Sequence, residues 1–309
     1  MPPRAPLIGL YAALAALAVT AAAAAPLQPD AAKNCRSCNE WNQPQKPFQL
    51  YGKSWYVGTH GLSAVLIDSG DGLVLLDGAL PESAPLIAAN IAQLGFRLEQ
   101  IRYIGVSHAH YDHVGGVAAL ARASGATVIA SARNAQALAA GQPPADDPQA
   151  GFGVEANAFA KVDNVKVVAD GETVRVGHLA LTAHYTPGHT PGATSWSWPD
   201  CDGEECRDLV YADSLNAVSD DMYRFGGADG DGGIAANFRS SIARVAALPC
   251  DLLIPVHPGF ADFDDKLARR AKGAKPDPFL DAGACKRYAA AALRKLDERL
   301  NEERAAPKP

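Results

Sequence analysis

Basic residues are scattered along the 309-residue chain, with only a loose group at Arg269, Arg270 and Lys272, and the formal net charge is −6. A phosphate backbone demands clustered Lys and Arg, so nucleic acid is excluded as a partner. There is no GxSxG pentapeptide, which removes the usual serine nucleophile on a strand-to-helix elbow. CxxC occurs once, at Cys35-Arg-Ser-Cys38, so a four-thiolate zinc site lacks its second half. A redox CxxC normally opens a helix in a βαβ unit, whereas this one precedes an extended Pro-rich stretch. No segment repeats at a fixed period, and beyond the N-terminal segment no apolar run is long enough to span a bilayer.

What remains is ordinary globular material, 48% hydrophobic and 20% charged, able to bury a real core. Residues 1–25 read as a signal peptide. Arg4 gives the positive start, Leu7 to Val19 the apolar run, and Ala21 to Ala25 the small residues before cleavage. An uncleaved anchor is the alternative. Export to the periplasm follows, with no membrane attachment after cleavage. Six cysteines in an exported chain imply disulfides. Local spacing favours Cys201–Cys206, closing a short acidic loop; the other pairings stay open at this point.

Residues 26–47, punctuated by Pro26, Pro29, Pro44 and Pro47, read as an irregular arm, and 48–309 as the folded domain. Ser54–Thr59, Leu62–Asp68 and Leu73–Asp77 read as strands, the last two joined by a Ser-Gly-Asp-Gly turn. Pro81–Gly95 reads as a helix from Leu86, Ile87, Ile91 and Leu94 at helical spacing. Strand Ile101–Val106, helix Gly115–Ala123, strand Thr127–Ala130 and helix Ala132–Ala140 then alternate as βαβα units. Gln142–Lys161 is a connection of the length that covers a site or moves. Strands follow at Thr173–Val176, Leu179–Tyr185, Ala193–Trp198 and Leu209–Ala212, then a Gly/Asp loop over Gly226–Gly233. Helix Ile234–Ala247, strand Leu252–Val256 and helix Ala284–Leu300 complete the chain.

Chemistry concentrates in His108-Ala109-His110-Tyr111-Asp112-His113. At a strand end, residues two apart point to one side, so His108 and His110 can face one ion together. Asp112 and His113 fall where the chain turns, with Gly115 and Gly116 permitting a tight path, and can reach a neighbouring ion. An isolated histidine is commonly a packed or solvated residue, but four such groups gathered without a cation would bury an anion for no gain. Nitrogen and oxygen donors with no thiolate nearby suit zinc, while manganese or iron is chemically admissible. His189 sits in Thr186-Pro187-Gly188-His189-Thr190-Pro191-Gly192, and His257 follows the apolar strand in Ile254-Pro255-Val256-His257. His60, His178 and His184 are expected to be structural or surface residues.

HxHxDH, then TPGHTPG, then a late histidine after an apolar strand resembles the metallo-β-lactamase superfamily, from about Phe48 to His257. The resemblance implies an α/β fold, an αββα sandwich with metals at one edge between the sheets. Within the superfamily, Tyr56-Val57-Gly58-Thr59, Asp77-Gly78-Ala79 and Tyr211-Ala212-Asp213-Ser214-Leu215 resemble the B3 subclass of metallo-β-lactamases. That pattern implies His108, His110 and His189 on one zinc, Asp112, His113 and His257 on a second, and a Cys250–Cys285 disulfide. It implies Ser214 and Asn216 as substrate-binding residues, with Asp213 supporting the strand end. In glyoxalase II-like members an Asp in a similar segment bridges the metals instead. The activity implied is hydrolysis of β-lactams by a monomeric enzyme. Water activated between two Zn2+ ions attacks the lactam carbonyl, and Asp112 acts as both ligand and catalytic orienting group. The alternatives are an exported lactonase or thioesterase of the same fold, or a non-catalytic zinc-binding protein.

Overall fold

Leu66 and Leu75 point one way from their strands and Val65, Ile67, Val74 and Leu76 the other, yet all six are buried. A strand apolar on both faces needs cover on both faces, and that requirement sets the architecture. The computed structural model describes residues 27–227 and 233–306. The segment 1–25, read as a signal peptide, and the centre of the Gly226–Gly233 loop lie outside the described residues.

The first sheet runs in chain order: β1 (Phe48–Tyr51), β2 (Ser54–Tyr56), β3 (Val65–Asp68), β4 (Leu73–Leu76), β5 (Ile101–Gly105), β6 (Thr127–Ala130) and β7 (Val165–Val167). Its first four strands form an antiparallel meander and β4 to β7 are parallel. The second sheet holds β8 (Thr173–Val176), β9 (Leu179–Tyr185), β10 (Thr194–Asp202), β11 (Glu205–Ala212) and β12 (Leu252–Pro255), in the order β12-β11-β10-β9-β8. The helices are α1 (Cys38–Trp41), α2 (Ala84–Gln93), α3 (Tyr111–Val114), α4 (Val117–Ser124), α5 (Ala132–Ala140), α6 (Val154–Asn157), α7 (Ala235–Ala247), α8 (Phe263–Ala271) and α9 (Ala284–Ala305).

Side chains of α2, α4 and α5, including Ile87, Ile91, Leu120 and Leu138, cover the outer face of the first sheet. The inner faces meet around Tyr56, Trp196, Trp198 and Tyr211, and α7 and α9 add Phe238, Ile242, Leu296 and Leu300 to that same cluster. The result is an αββα sandwich. Burying four large aromatic side chains at the centre stabilises the sandwich by several kcal/mol in total, at about 1.5–3 kcal/mol for each large apolar side chain. The indole Nε1 of Trp196 donates to the Val106 carbonyl at 3.1 Å, tying the second sheet to the end of β5 just ahead of the histidine motif.

Several boundaries depart from expectation. The arm is not wholly irregular: α1 lies in it, closed by a Cys35–Cys38 disulfide, and Cys38 is buried in the outer core. The β10–β11 hairpin runs on to Asp202 and Glu205, past Pro199 and the acidic residues that conceal it. Cys201 and Cys206 are directly opposed there and disulfide-bonded, and Cys250 bonds Cys285 across 35 residues. Helix α8 was not expected, although Phe263 and Leu267 stand one turn apart on its inner face; its nine residues are mostly charged, and only Phe263 and Lys266 are fully buried. Helix α3 begins at Tyr111, so Asp112 and His113 sit on a helical turn ahead of the expected start at Gly115.

Candidate metal centre

The strand end that carries the motif is fixed before any histidine is considered. Asp77, fully buried, accepts from the Ser107 amide at 2.7 Å and the Ser107 hydroxyl at 2.6 Å. The Tyr211 hydroxyl donates to Asp77 Oδ2 at 2.9 Å, so a carboxylate on the first sheet is gripped by a phenol on the second. Asp77 and Ala79 both have positive φ, 58° and 55°. That conformation costs a non-glycine residue of order 1 kcal/mol; the side-chain bonds hold it at Asp77, and the Gly116 amide donating to the Ala79 carbonyl at 3.2 Å holds it at Ala79. Gly115 and Gly116 are needed for close approach rather than for unusual backbone angles. A Cβ on Gly115 would lie 2.3 Å from the Tyr111 carbonyl, and one on Gly116 2.3 Å from the Gly78 carbonyl.

On this frame the chain brings six expected residues together. His108, His110 and His189 place ligand-type atoms within 4.8 Å of one another, and so do His108, Asp112 and His113. His257 Nε2 lies 3.6 Å from Asp112 Oδ2, and its ring centroid is 4.9 Å from that of His113. His108 thus sits at the junction of the two groups, while His257 closes the second from the end of β12.

Four of the five histidines are oriented by a hydrogen bond on the far side of the ring. His108 Nδ1 donates to Asp213 Oδ1 at 2.7 Å, and His110 Nε2 to Asp147 Oδ1 at 3.0 Å. His189 Nδ1 donates to the Asn216 carbonyl at 2.8 Å, and His257 Nδ1 to the Gly61 carbonyl at 3.3 Å. Each bond fixes a tautomer and leaves the other ring nitrogen with a free lone pair. His108 Nε2 and both ring nitrogens of His113 are buried with no hydrogen-bond partner. Unsatisfied buried nitrogens are costly; a cation would take His108 Nε2 and His113 Nε2, while His113 Nδ1 faces Asp77 at 3.6 Å, so the residues present fit a metal site.

Charge follows the same division. Burial pushes His189 down to about 3 and His257 down to about 4, which keeps them as the neutral imidazoles a metal requires. Burial, then the neighbouring histidines, hold His108 well below its ordinary value. Burial alone would raise Asp112, yet His113 beside it holds the carboxyl well below the usual range. Asp112 in turn overrides burial at His113 and raises it to about 10. Burial pushes Asp213 far up, so the His108–Asp213 pair is neutral unless a positive charge is placed on the other side of the ring.

The centre opens into a cavity of about 730 Å³ that reaches Ser214, Asn216, Trp41 and Phe260. Ser214 is buried and Asn216 half-buried at its floor. The Tyr288 hydroxyl of α9 donates to the Asp213 carbonyl at 2.9 Å and lies 3.2 Å from the Leu215 amide, holding this segment in place. Asp213 does not join either ligand group; it stands behind His108 rather than only supporting the strand end. His60, expected as a structural or surface residue, lines the cavity rim with Nε2 3.3 Å from Asp264. His184 bonds Ser197 away from the centre, and His178 lies in a turn against Ser69. Asp147 was missed. It lies in the long Gln142–Lys161 connection, and only the length of that connection hinted at a role.

A family model described as the metallo-beta-lactamase superfamily matches residues 57–257. Among solved structures, the chain is similar to MEM-A1, a subclass B3 metallo-beta-lactamase isolated from a soil metagenome library. The identity is 46%, covering 86% of this chain and 99% of that one, with a TM-score of 0.81. It is also similar to the metallo-beta-lactamase MIM-1 from Novosphingobium pentaromativorans, at 41% identity over 86% of this chain and 93% of that one, TM-score 0.77. Among curated proteins it is similar to a hydroxyacylglutathione hydrolase of Cereibacter sphaeroides, 30% identical over 175 residues, 57% of this chain and 53% of that protein. The chain spans about half the length of the curated relatives it matches.

Proposed function

Since the chain belongs to the metallo-β-lactamase superfamily, we propose that it is an exported zinc hydrolase that opens β-lactams and so confers resistance to them. The observation that carries this reading is the position of Asp213. A glyoxalase II-like site would place this carboxylate between the metals, whereas here it holds the far nitrogen of His108. The likeness to B3 structures over nearly their whole length supports it further. The second reading, a thioester hydrolase, draws on the hydroxyacylglutathione hydrolase relatives, whose likeness stops at about half their length.

In this reading His108, His110 and His189 hold one Zn2+ and Asp112, His113 and His257 a second. Bound zinc supplies Lewis acidity, polarising the lactam carbonyl and lowering the pKa of water toward 7. The protein does the rest. Asp112, ionised because His113 stands beside it, accepts a hydrogen bond from the attacking water and orients it. A carboxyl held this low stores no proton near neutral pH, so its part is orientation rather than general-base storage. Ser214 Oγ and Asn216 Nδ2 donate to the carboxylate of the substrate, fixing the ring in the cavity. Trp41 and Phe260, each with a ring against His257, form the apolar wall.

Hydrolysis of a penicillin, a cephalosporin and a carbapenem, measured beside a glutathione thioester and an acyl-homoserine lactone, tests this. Lactam turnover should vanish with chelator and return with zinc, accompanied by two zinc ions per chain. Turnover of the thioester alone would overturn the reading. Replacing Ser214 and Asn216 together by Ala should raise KM for carboxylate-bearing lactams about a hundredfold or more, each hydrogen bond to a charged group contributing roughly 1.5–3 kcal/mol. Metal content should stay unchanged.

A further inference from the structure

A second cavity, of about 240 Å³, adjoins the first and shares Asn216, Gly259 and Phe260 with it. The two differ in chemistry. The main cavity is lined by the carboxylates Glu40, Asp112, Asp262, Asp264 and Asp265 and by no Lys or Arg. The adjoining one has no carboxylate in its lining; its walls are Leu215, Tyr288, Ala291 and Ala292, and its single charge is Lys295. Phe260 divides them. Its ring stands edge-on to His257 at 5.4 Å on one side, and the Lys295 ammonium lies 5.2 Å from its centroid on the other. Lys295 is exposed on α9 and has no ion-pair partner among the described residues. Its charge is therefore held by an aromatic face rather than cancelled by an acid.

We propose that this cavity is an accessory subsite for the substituent carried next to the substrate's carboxylate, and that Lys295 makes it select against positive charge there. The inference rests on the β-lactam reading, in which Asn216 binds that carboxylate. A group projecting past Asn216 enters the second cavity, meets an apolar lining deep enough for one ring, and lies against the Lys295 ammonium. Neutral or anionic substituents are accepted and cationic ones repelled, although the main cavity is acidic.

Cephalothin and cephaloridine test this as a matched pair. They share the ring, its carboxylate and the thienylacetyl arm, and differ only in the substituent beside the carboxylate: a neutral acetoxymethyl against a cationic pyridiniummethyl group. Steady-state KM and kcat are measured for both with the zinc-loaded parent, Lys295→Ala, Lys295→Glu and Lys295→Arg. The parent should show the higher KM for cephaloridine. That KM ratio should fall about threefold in Lys295→Ala and about tenfold in Lys295→Glu, as expected for a partly exposed charge. It should be retained in Lys295→Arg. Hydrolysis of both compounds with a ratio unmoved in Lys295→Glu would overturn the subsite and leave the β-lactam reading standing. Hydrolysis of neither by the parent would overturn that reading and the subsite with it.

Discussion

The two halves of the candidate centre are held by different means. Of the motif histidines, His108 and His110 rest their far nitrogens on buried carboxylates, Asp213 and Asp147, and His113 has Asp77 3.6 Å behind it. The late histidines, His189 and His257, rest theirs on main-chain carbonyls of Asn216 and Gly61. A carboxylate adds negative charge behind the ring and raises its basicity. A carbonyl fixes only orientation. The motif half therefore carries charge compensation for a cation, while the late half supplies geometry and relies on the fold to keep its carbonyls in place.

The comparison would be broken most severely at Asp112, the one carboxylate in the candidate ligand groups. Asp112→Ala should lower kcat by about 10²–10⁴, the range for losing a positioned acid or base, and metal analysis should find the second ion lost. Full metal content with full rate would remove Asp112 from the centre. Next is the charge behind His108. Asp213→Asn keeps shape and an acceptor but loses the charge, and zinc affinity measured by chelator competition should weaken about 10–100-fold. Asp213→Ala should in addition destabilise the fold by about 1–3 kcal/mol, because His108 Nδ1 is left buried and unpaired. An Asp213→Asn protein that binds zinc as tightly as the parent would show that the carboxylates behind the rings carry no advantage.

The late half can be perturbed only through the backbone. A Cβ on Gly61 would stand 2.6 Å from Trp41 Cδ1 and 2.7 Å from Trp41 Cα. Gly61→Ala must therefore push α1 away or move the carbonyl that holds His257. Overpacking of this kind costs about 1–3 kcal/mol in thermal or denaturant unfolding, and zinc titration should show one ion weakened selectively. Equal weakening of both ions would mean that the Gly61 carbonyl does not act through His257 alone. The smallest effect is expected outside both. His184 is lowered by burial and bonds only Ser197. His184→Ala should leave metal content unchanged and cost no more than about 1 kcal/mol, the worth of one ordinary hydrogen bond.

Much of this centre could be read from residues close together in the chain. His108, His110, Asp112 and His113 fall within one strand end and one helical turn, and local backbone geometry alone aims them at a common space. Turn chemistry placed His189 between two strands, and an apolar run ahead of it placed His257 at the end of β12. Helix α2 was legible from its apolar spacing, whereas α8 was passed over because it is short and mostly charged, although Phe263 and Leu267 sit at helical spacing.

The partners behind the rings belong to the tertiary structure. Asp213 lies 105 residues from His108 and Gly61 196 residues from His257. Asp147 sits in a connection with no periodicity at all. Nothing local marks an aspartate as one that will end up behind an imidazole. Only the packing of two sheets, tied by Trp196 to Val106 and by Tyr211 to Asp77, brings those carboxylates and carbonyls to the centre. The same packing swings α9 beside Asn216 and puts Lys295 over Phe260. Sequence by itself determined which atoms could bind a metal, because ligand spacing is a local property. Tertiary structure decided which nitrogen each histidine presents and what charge stands behind it, because those depend on long-range contacts that only a folded core can fix.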